Sequence, residues 1–383
     1  IACVQTGANY PERTYWFAGI YDGAGHKISN LNINRVKFDA DGKAISYSTG
    51  GGSAQNVGLF GSLGDGARIK NLTIASGDIQ GYFNVGAFAG YSQDDVQISD
   101  CHNFAAVTAY DGTVGGITGT SDAASGSLLN IIERCTNSGA TSEEAGGIIG
   151  YSKSVLTDCI NMGTVTIRRF NACLADAIAM EEAGGIAGTN QGNMTYCANF
   201  GMVSCDGSKA GGLTGFSSSG NKRGSIVGCY NAATVYAADK TKCGALVGEN
   251  YKIMNPTEVQ SDCVYDSQYS GCLACDNADA GFAAPLSTAD LISGEAYLPA
   301  AGWNFKAGLY PVNKALAGNA AVQAACASYV LMPEDQTVVD FRRGTLGSAM
   351  PLTATVSGTS VISVSGNNIA ADASATDIAK AAV

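Results

Sequence analysis

Histidine is almost missing from this 383-residue chain: His26 and His102 are the only two. A zinc peptidase of the H-E-x-x-H type needs two histidines four positions apart on one helix face, so that chemistry is excluded within these residues. Proline is scarce at 7, tryptophan at 2, and charged residues make up only 14%. Lys and Arg number 22 against 33 Asp and Glu, a net charge of -11 that repels nucleic acid and anionic lipid, so neither is expected as a partner. No apolar run approaches the roughly 20 residues of a membrane helix, and direct membrane insertion is not expected of this segment. Ile1 opens no basic-then-apolar leader, so any targeting signal is expected outside these residues. An acidic chain poor in Lys suits an extracellular setting, at a cell surface or secreted.

What abounds is glycine, 50 residues, placed in a pattern that returns from about residue 57 to residue 265. A G-(L/I/V/F)-x-G tetrapeptide appears as Gly58-Leu59-Phe60-Gly61, Gly116-Ile117-Thr118-Gly119, Gly147-Ile148-Ile149-Gly150, Gly185-Ile186-Ala187-Gly188 and Gly212-Leu213-Thr214-Gly215. Ala replaces the first Gly at Ala87 and Ala245. Five of these seven are followed by a Cys-x-Asn: Cys101 and Asn103, Cys135 and Asn137, Cys159 and Asn161, Cys197 and Asn199, Cys229 and Asn231. A period near 30 residues describes a stacked array rather than one closed globule. Short apolar strands between Gly and Asn turns, three strands and three turns per coil, predict an all-β parallel β-helix in which each strand pairs with its counterpart one coil away.

The phases of that repeat assign roles. Cys101, Cys135, Cys159, Cys197 and Cys229, extended by Cys263, should form an inward column of neighbours ~4.8 Å apart. Parallel side-chain vectors suit a disulfide torsion poorly, so buried thiols acting as small hydrophobes are expected. Asn103, Asn137, Asn161, Asn199 and Asn231 should form a ladder of amides bonded coil to coil. Cys272 and Cys275 make a lone C-x-x-C; zinc would want a second pair or His partners, which leaves a local disulfide or two thiols.

Three regions are expected: a β-helix with its cap over 1–312, a linker over 313–326, and a small immunoglobulin-like, sandwich-like β domain over 327–383, which can stop short of completion. Residues 38–52 read as an inserted loop, and the longest insertion, near 168–180, carries Arg168-Arg169-Phe170. Residues 287–297, with an N-cap and helical spacing ended by Pro299, predict a short helix closing the open end of the stack. Trp303 and Tyr310-Pro311 finish that module.

Glu143-Glu144 and Glu181-Glu182 each precede Ala-Gly-Gly in consecutive repeats, so stacking sets them on one ridge with one Glu of each pair outward. They read first as a solvated acidic face; calcium, through oxygen ligands, is the alternative, and no other cofactor is implied. Tyr91, Tyr151 and Phe216 follow the closing Gly of their tetrapeptides, with Thr120 and Thr189 in the same place elsewhere. Core or corner packing is the first expectation for the three rings, an outward aromatic ladder for sugars or a protein partner the second. No catalytic residue is assigned.

The opening motif Tyr21-Asp-Gly-Ala-Gly-His-Lys-Ile-Ser-Asn-Leu-Asn-Ile33, the pair Val57-Gly-Leu-Phe-Gly61 and Ile69-Lys-Asn-Leu-Thr-Ile74, the Cys-x-Asn repeats and the closing Trp and Tyr-Pro resemble the GLUG-motif repeats of large bacterial surface and secreted proteins. The resemblance covers roughly residues 17 to 312, and the tail resembles bacterial immunoglobulin-like domains. It implies a stalk or adhesin segment binding a host protein or a glycan. Two alternatives stay open: a polysaccharide-active β-helix enzyme built on a carboxylate cluster, and the non-catalytic N-terminal part of a secreted protease.

Overall fold

The computed structural model describes residues 16–329 except 41–43, 46–55, 65, 124–129, 143–144, 168–181, 207–208, 218–224, 251–259 and 276–282, together with 331, 353–356, 359–365 and 368–371. The chain is an all-β solenoid. Four parallel sheets run lengthwise, and one coil visits each in turn. Gly77–Gly81 lies in sheet II, Asn84–Gly86 in sheet III, Ala89–Gln93 in sheet IV, and Gln97–Asn103 in sheet I. Sheet I has 15 strands and each of the others 7. Like positions pair in register from coil to coil: Gly86, Gly115, Gly146, Gly184, Gly211 and Gly244 form one line along sheet III.

A coil therefore has four strands where the spacing predicted three, and the extra corner is the tetrapeptide itself. Between residues 182 and 190 the chain forms two strands, Glu182–Gly184 and Ala187–Asn190, joined at Gly185-Ile186. Glycine makes the corner by letting backbone touch backbone. A Cβ on Gly119 would lie 2.6 Å from the Val85 nitrogen, so sheet IV rests directly on sheet III. A Cβ on Gly185 would lie 2.1 Å from the Gly212 oxygen and 2.3 Å from Asn199 Cγ, so the tip of the corner reaches across the interior to the asparagines.

Those asparagines form the predicted ladder. Asn103 Nδ2 donates to Asn137 Oδ1 at 2.9 Å, Asn137 to Asn161 at 2.9 Å, Asn161 to Asn199 at 2.8 Å and Asn199 to Asn231 at 2.9 Å. The second N–H of each amide goes to the carbonyl two residues on, such as Asn161 to Gly163 O at 2.8 Å, and Oδ1 accepts the Gly163 N–H at 3.2 Å. All five residues are fully buried, so the internal members use both donors and both lone pairs without water.

The cysteine column is equally regular. Cys101, Cys135, Cys159, Cys197, Cys229 and Cys263 are buried and unbridged. Each thiol donates to the carbonyl two residues back, at 3.3 to 3.4 Å. Burial pushes the thiols of Cys135, Cys197 and Cys263 up, which keeps them protonated. The residue before each cysteine is left-handed: Asp100, Arg134, Asp158, Tyr196, Gly228 and Asp262 have φ between 51 and 63°. This bend breaks sheet I into two facets and turns the next side chain inward. The C-x-x-C is no local pair: Cys272 lies against Cys243, and Cys275 bridges to Val247, so the two continue different columns as a last, shortened turn.

Past Ala283–Leu286, which adds a final strand to sheet I, the chain folds back along the outside of that sheet. The expected helix is one turn, Thr288–Leu291, with Ser287 and Asp290 forming a capping box. Its Leu291 packs with Trp303, Tyr310 and Leu316 on the outward side chains Ile160, Ala198, Tyr230 and Val264, so the segment covers the flank of several coils rather than the end alone. Trp303 Nε1 donates to Gly228 O at 2.7 Å, and Asn313 Nδ2 reaches Asp158 Oδ1 at 2.8 Å. Asp266, wholly buried, ties this strap to the last coil by accepting from Thr288 Oγ1 at 2.7 Å and the Tyr310 hydroxyl at 2.6 Å.

Residues 313–326, expected as a linker, belong to the strap. Val312–Asn313 pairs with Trp303–Asn304, and helix Ala320–Cys326 buries Val322 and Cys326. The first compact unit runs to Thr337, beyond the expected boundary at 327, because Cys326 packs among the strap's own apolar side chains. The second unit, Val338–Val383, shows among its described residues one antiparallel sheet of three strands.

Two outcomes are expected. Asn161→Ala strands a donor of Asn137 and an acceptor of Asn199 and should lower unfolding free energy by roughly 2–4 kcal/mol, with Asn231→Ala at the end of the ladder costing less; urea denaturation measures both. A thiol reagent applied to native protein should modify half-buried Cys272 first among the described cysteines and leave the six column cysteines unreacted until denaturant is added, as peptide mapping would read.

Candidate functional site

The sequence points to one ridge, at the mouth of the corner between sheets III and IV. Among the described residues of sheet III, the residue two before the aligned glycine (Gly86, Gly115, Gly184 and their counterparts) is Asn56, Asn84, Thr113, Glu182, Lys209 and Lys242. Facing it on sheet IV is the column Ser62, Tyr91, Thr120, Tyr151, Thr189, Phe216 and Glu249. In the early coils the two columns knit through neutral groups. Asn56 Nδ2 donates to Ser62 Oγ at 2.8 Å, Asn84 Nδ2 to Asn56 Oδ1 at 2.8 Å, and the Thr113 and Thr120 hydroxyls both reach Asn84 Oδ1 at 2.9 Å.

In the later coils the same positions are charged. Glu182 Oε1 accepts from Lys209 Nζ at 2.8 Å, and its Oε2 accepts from the Thr189 hydroxyl. Lys209 also reaches Glu249 Oε2 at 3.2 Å and sits over the Phe216 ring, 4.0 Å from its centroid. Lys242 completes the cluster on Glu249 Oε1. Two carboxylates and two ammonium groups leave the cluster neutral. Burial pulls the Lys209 pKa down, but Glu182 and Glu249 together outweigh it and hold it above its ordinary value. Burial likewise raises Glu249, and Lys242 and Lys209 together bring it below its ordinary value.

An outward Glu182 open to calcium is therefore not what the structure contains. Its side chain is 1% exposed and both oxygens are engaged, Oε1 by Lys209, which the next repeat places in the same phase, and Oε2 by Thr189. Glu143, Glu144, Glu181 and Arg168-Arg169-Phe170 lie outside the described residues. Among the described residues no three His, Cys, Asp or Glu side chains group as a metal site. His102 Nδ1 lies 3.0 Å from Thr136 Oγ1, and burial lowers its pKa. The sequence carried the missing signal: Lys209-Ala-Gly-Gly repeats the Glu182-Ala-Gly-Gly pattern with the opposite charge.

Tyr91, Tyr151 and Phe216 are not core residues. All three are half-buried and stand apart from the apolar interior, while the next residue in each strand, Ser92, Ser152 and Ser217, is buried. Lys153 lies 5.8 Å from the Tyr151 ring centroid and pairs with Asp122 at 2.7 Å, and Trp16 lies 6.0 Å from Tyr91. Of the core or corner packing expected, the corner is where they lie, as an outer column whose rings are each braced by a neighbour.

Comparison with known proteins adds one similarity. The chain is 31% identical over 115 residues to Halomucin of Haloquadratum walsbyi (strain DSM 16790 / HBSQ001). The match takes in 30% of this chain and 1% of the length of that curated relative. No family model matches the chain, and no solved structure matches it. No helix among the described residues is long and apolar enough to cross a membrane.

The charged cluster makes two checkable statements. Lys209→Met leaves Glu182 buried without its cation and should cost about 3 kcal/mol in denaturant unfolding, most of it recovered in the double variant with Glu182→Gln. Glu249, held below 4.5, stabilises the fold above that pH, and its contribution fades as pH falls through the lowered value. Lys209, held above 10.5, contributes fully below that pH and loses its share as pH rises through the raised value. Melting temperature should accordingly fall at both ends of the pH range, with a shallower acid limb in Glu249→Gln.

Proposed function

We propose that this chain is a rigid, non-catalytic, extracellular segment of a bacterial surface or secreted protein, built from GLUG-type repeats, which projects or presents an adhesive wall to a glycan or host ligand. The observation that carries this reading is the unbroken lengthwise register: one amide ladder spans five coils, and the outer columns repeat in step with it. Such a stack is stiff along its axis and offers a surface in which chemistry recurs at a fixed interval. The neutralised Glu182 supports a wall that binds over one that cleaves, since acid and base catalysis needs a carboxylate free to exchange protons with substrate. The similarity to part of a protein named as a mucin points to the same extracellular setting.

The test is direct. Incubated with a polysaccharide and glycan panel, the chain should bind without producing new reducing ends. Release of reducing ends that disappears in Glu182→Gln would replace this reading with an enzymatic one.

A further inference from the structure

The outer column of sheet IV alternates. From coil to coil it reads Tyr91, Thr120, Tyr151, Thr189, Phe216, an aromatic ring on every second rung with a short hydroxyl residue between. Rungs of a parallel sheet are ~4.8 Å apart, which sets successive rings roughly 10 Å apart. The threonines cannot fill the intervals, because Thr120 turns to Asn84 and Thr189 to Glu182. The wall therefore presents three braced rings with a short, already bonded threonine between each and the next. Two residues along each strand, on the same side, Gln93, Asp122 and Lys153 supply a parallel row of hydrogen-bonding groups.

The charge of this strip narrows the partner. The chain carries -11 overall, yet here Asp122 is matched by Lys153, Glu182 by Lys209, and Glu249 by Lys242. A strip whose described charges cancel, on an acidic molecule, suits an uncharged ligand, while the surrounding field repels an anionic one. In an extended β-1,4-linked glycan successive sugars are flipped, so equivalent faces recur at every second sugar, over a length close to the two-rung interval. Sugar faces are apolar enough to stack on aromatic rings, and their rim hydroxyls need the polar row beside them.

We propose that Tyr91, Tyr151 and Phe216 form a docking strip for an uncharged, extended β-1,4-linked polysaccharide, with alternate sugars stacked on the three rings and the hydroxyls served by Gln93, Asp122 and Lys153. The proposal rests on the reading of the chain as a binding wall and names its ligand class. Lys209 over Phe216 and Lys153 beside Tyr151 hold the rings in place before the ligand arrives, which limits the ordering cost of binding.

Affinity electrophoresis of the whole chain through gels containing hydroxyethyl cellulose, xylan or polygalacturonate tests it. Retardation is expected on at least one neutral polymer and not on the anionic one. Each of Tyr91→Ala, Tyr151→Ala and Phe216→Ala should weaken it roughly three- to tenfold, and the triple variant should abolish it. Leucine at the same three positions keeps apolar bulk without a ring and should also lose binding, while Tyr236→Ala on another face should bind normally; circular dichroism confirms that each variant is folded. Absence of retardation on both neutral gels, equal retardation of the triple variant, capture by polygalacturonate, or binding only to a protein ligand would overturn the site. Release of reducing ends would instead overturn the non-catalytic reading while leaving the strip intact, so the two failures are distinguishable.

Discussion

A buried amide sets the register on which the rest of this molecule depends. Backbone hydrogen bonds join one coil to the next, but a parallel ladder of backbone groups alone would accept a slip of two residues with little change in pairing. The column Asn103 to Asn231 does not. Each internal member spends both donors and both acceptors on fixed partners, so a slipped coil would bury an amide with nothing opposite it. The corner glycines belong to the same constraint, since the tip at Gly185 fits against Asn199 only where no Cβ intervenes. Core apolarity drives the collapse, and the asparagines decide which collapse is accepted.

What was legible in the sequence follows from this. The Cys-x-Asn phase recurs in five consecutive coils, so its inward column and its ladder could be read directly. The G-x-x-G corner could not, because Ala183 to Asn190 carries the small apolar residues of a strand, and only three-dimensional contact between Gly119 and Val85 shows that the chain turns there. The bend before each cysteine was hidden for a related reason: Asp100, Arg134, Asp158 and Tyr196 share a left-handed backbone but no chemistry. The strap over sheet I was half visible. Trp303 and Tyr310 announced a packed finish, but nothing local told that they would lie on Tyr230 rather than across the end.

The site repeats the lesson in electrostatic form. Four glutamates before Ala-Gly-Gly read as an acidic ridge when only the acidic repeats are compared. Extending the same phase to Lys209 and Lys242 turns the described part of that ridge from a solvated acidic face into a neutral ion-pair cluster. In a solenoid a residue's chemistry is settled by the members of its column above and below, and a column must be read to its end before a role is assigned.

The strap has a mechanical consequence. Tension on the chain beyond residue 329 would not peel the last strand away rung by rung. It enters the solenoid through Asn313 on Asp158 and Trp303 on Gly228, contacts on coils below the last, before it reaches the terminal strand. A protein anchored through its C-terminal side would thus transmit pull into the middle of the stack, where many bonds share it, and spare the terminal rung that a zipper would lose first.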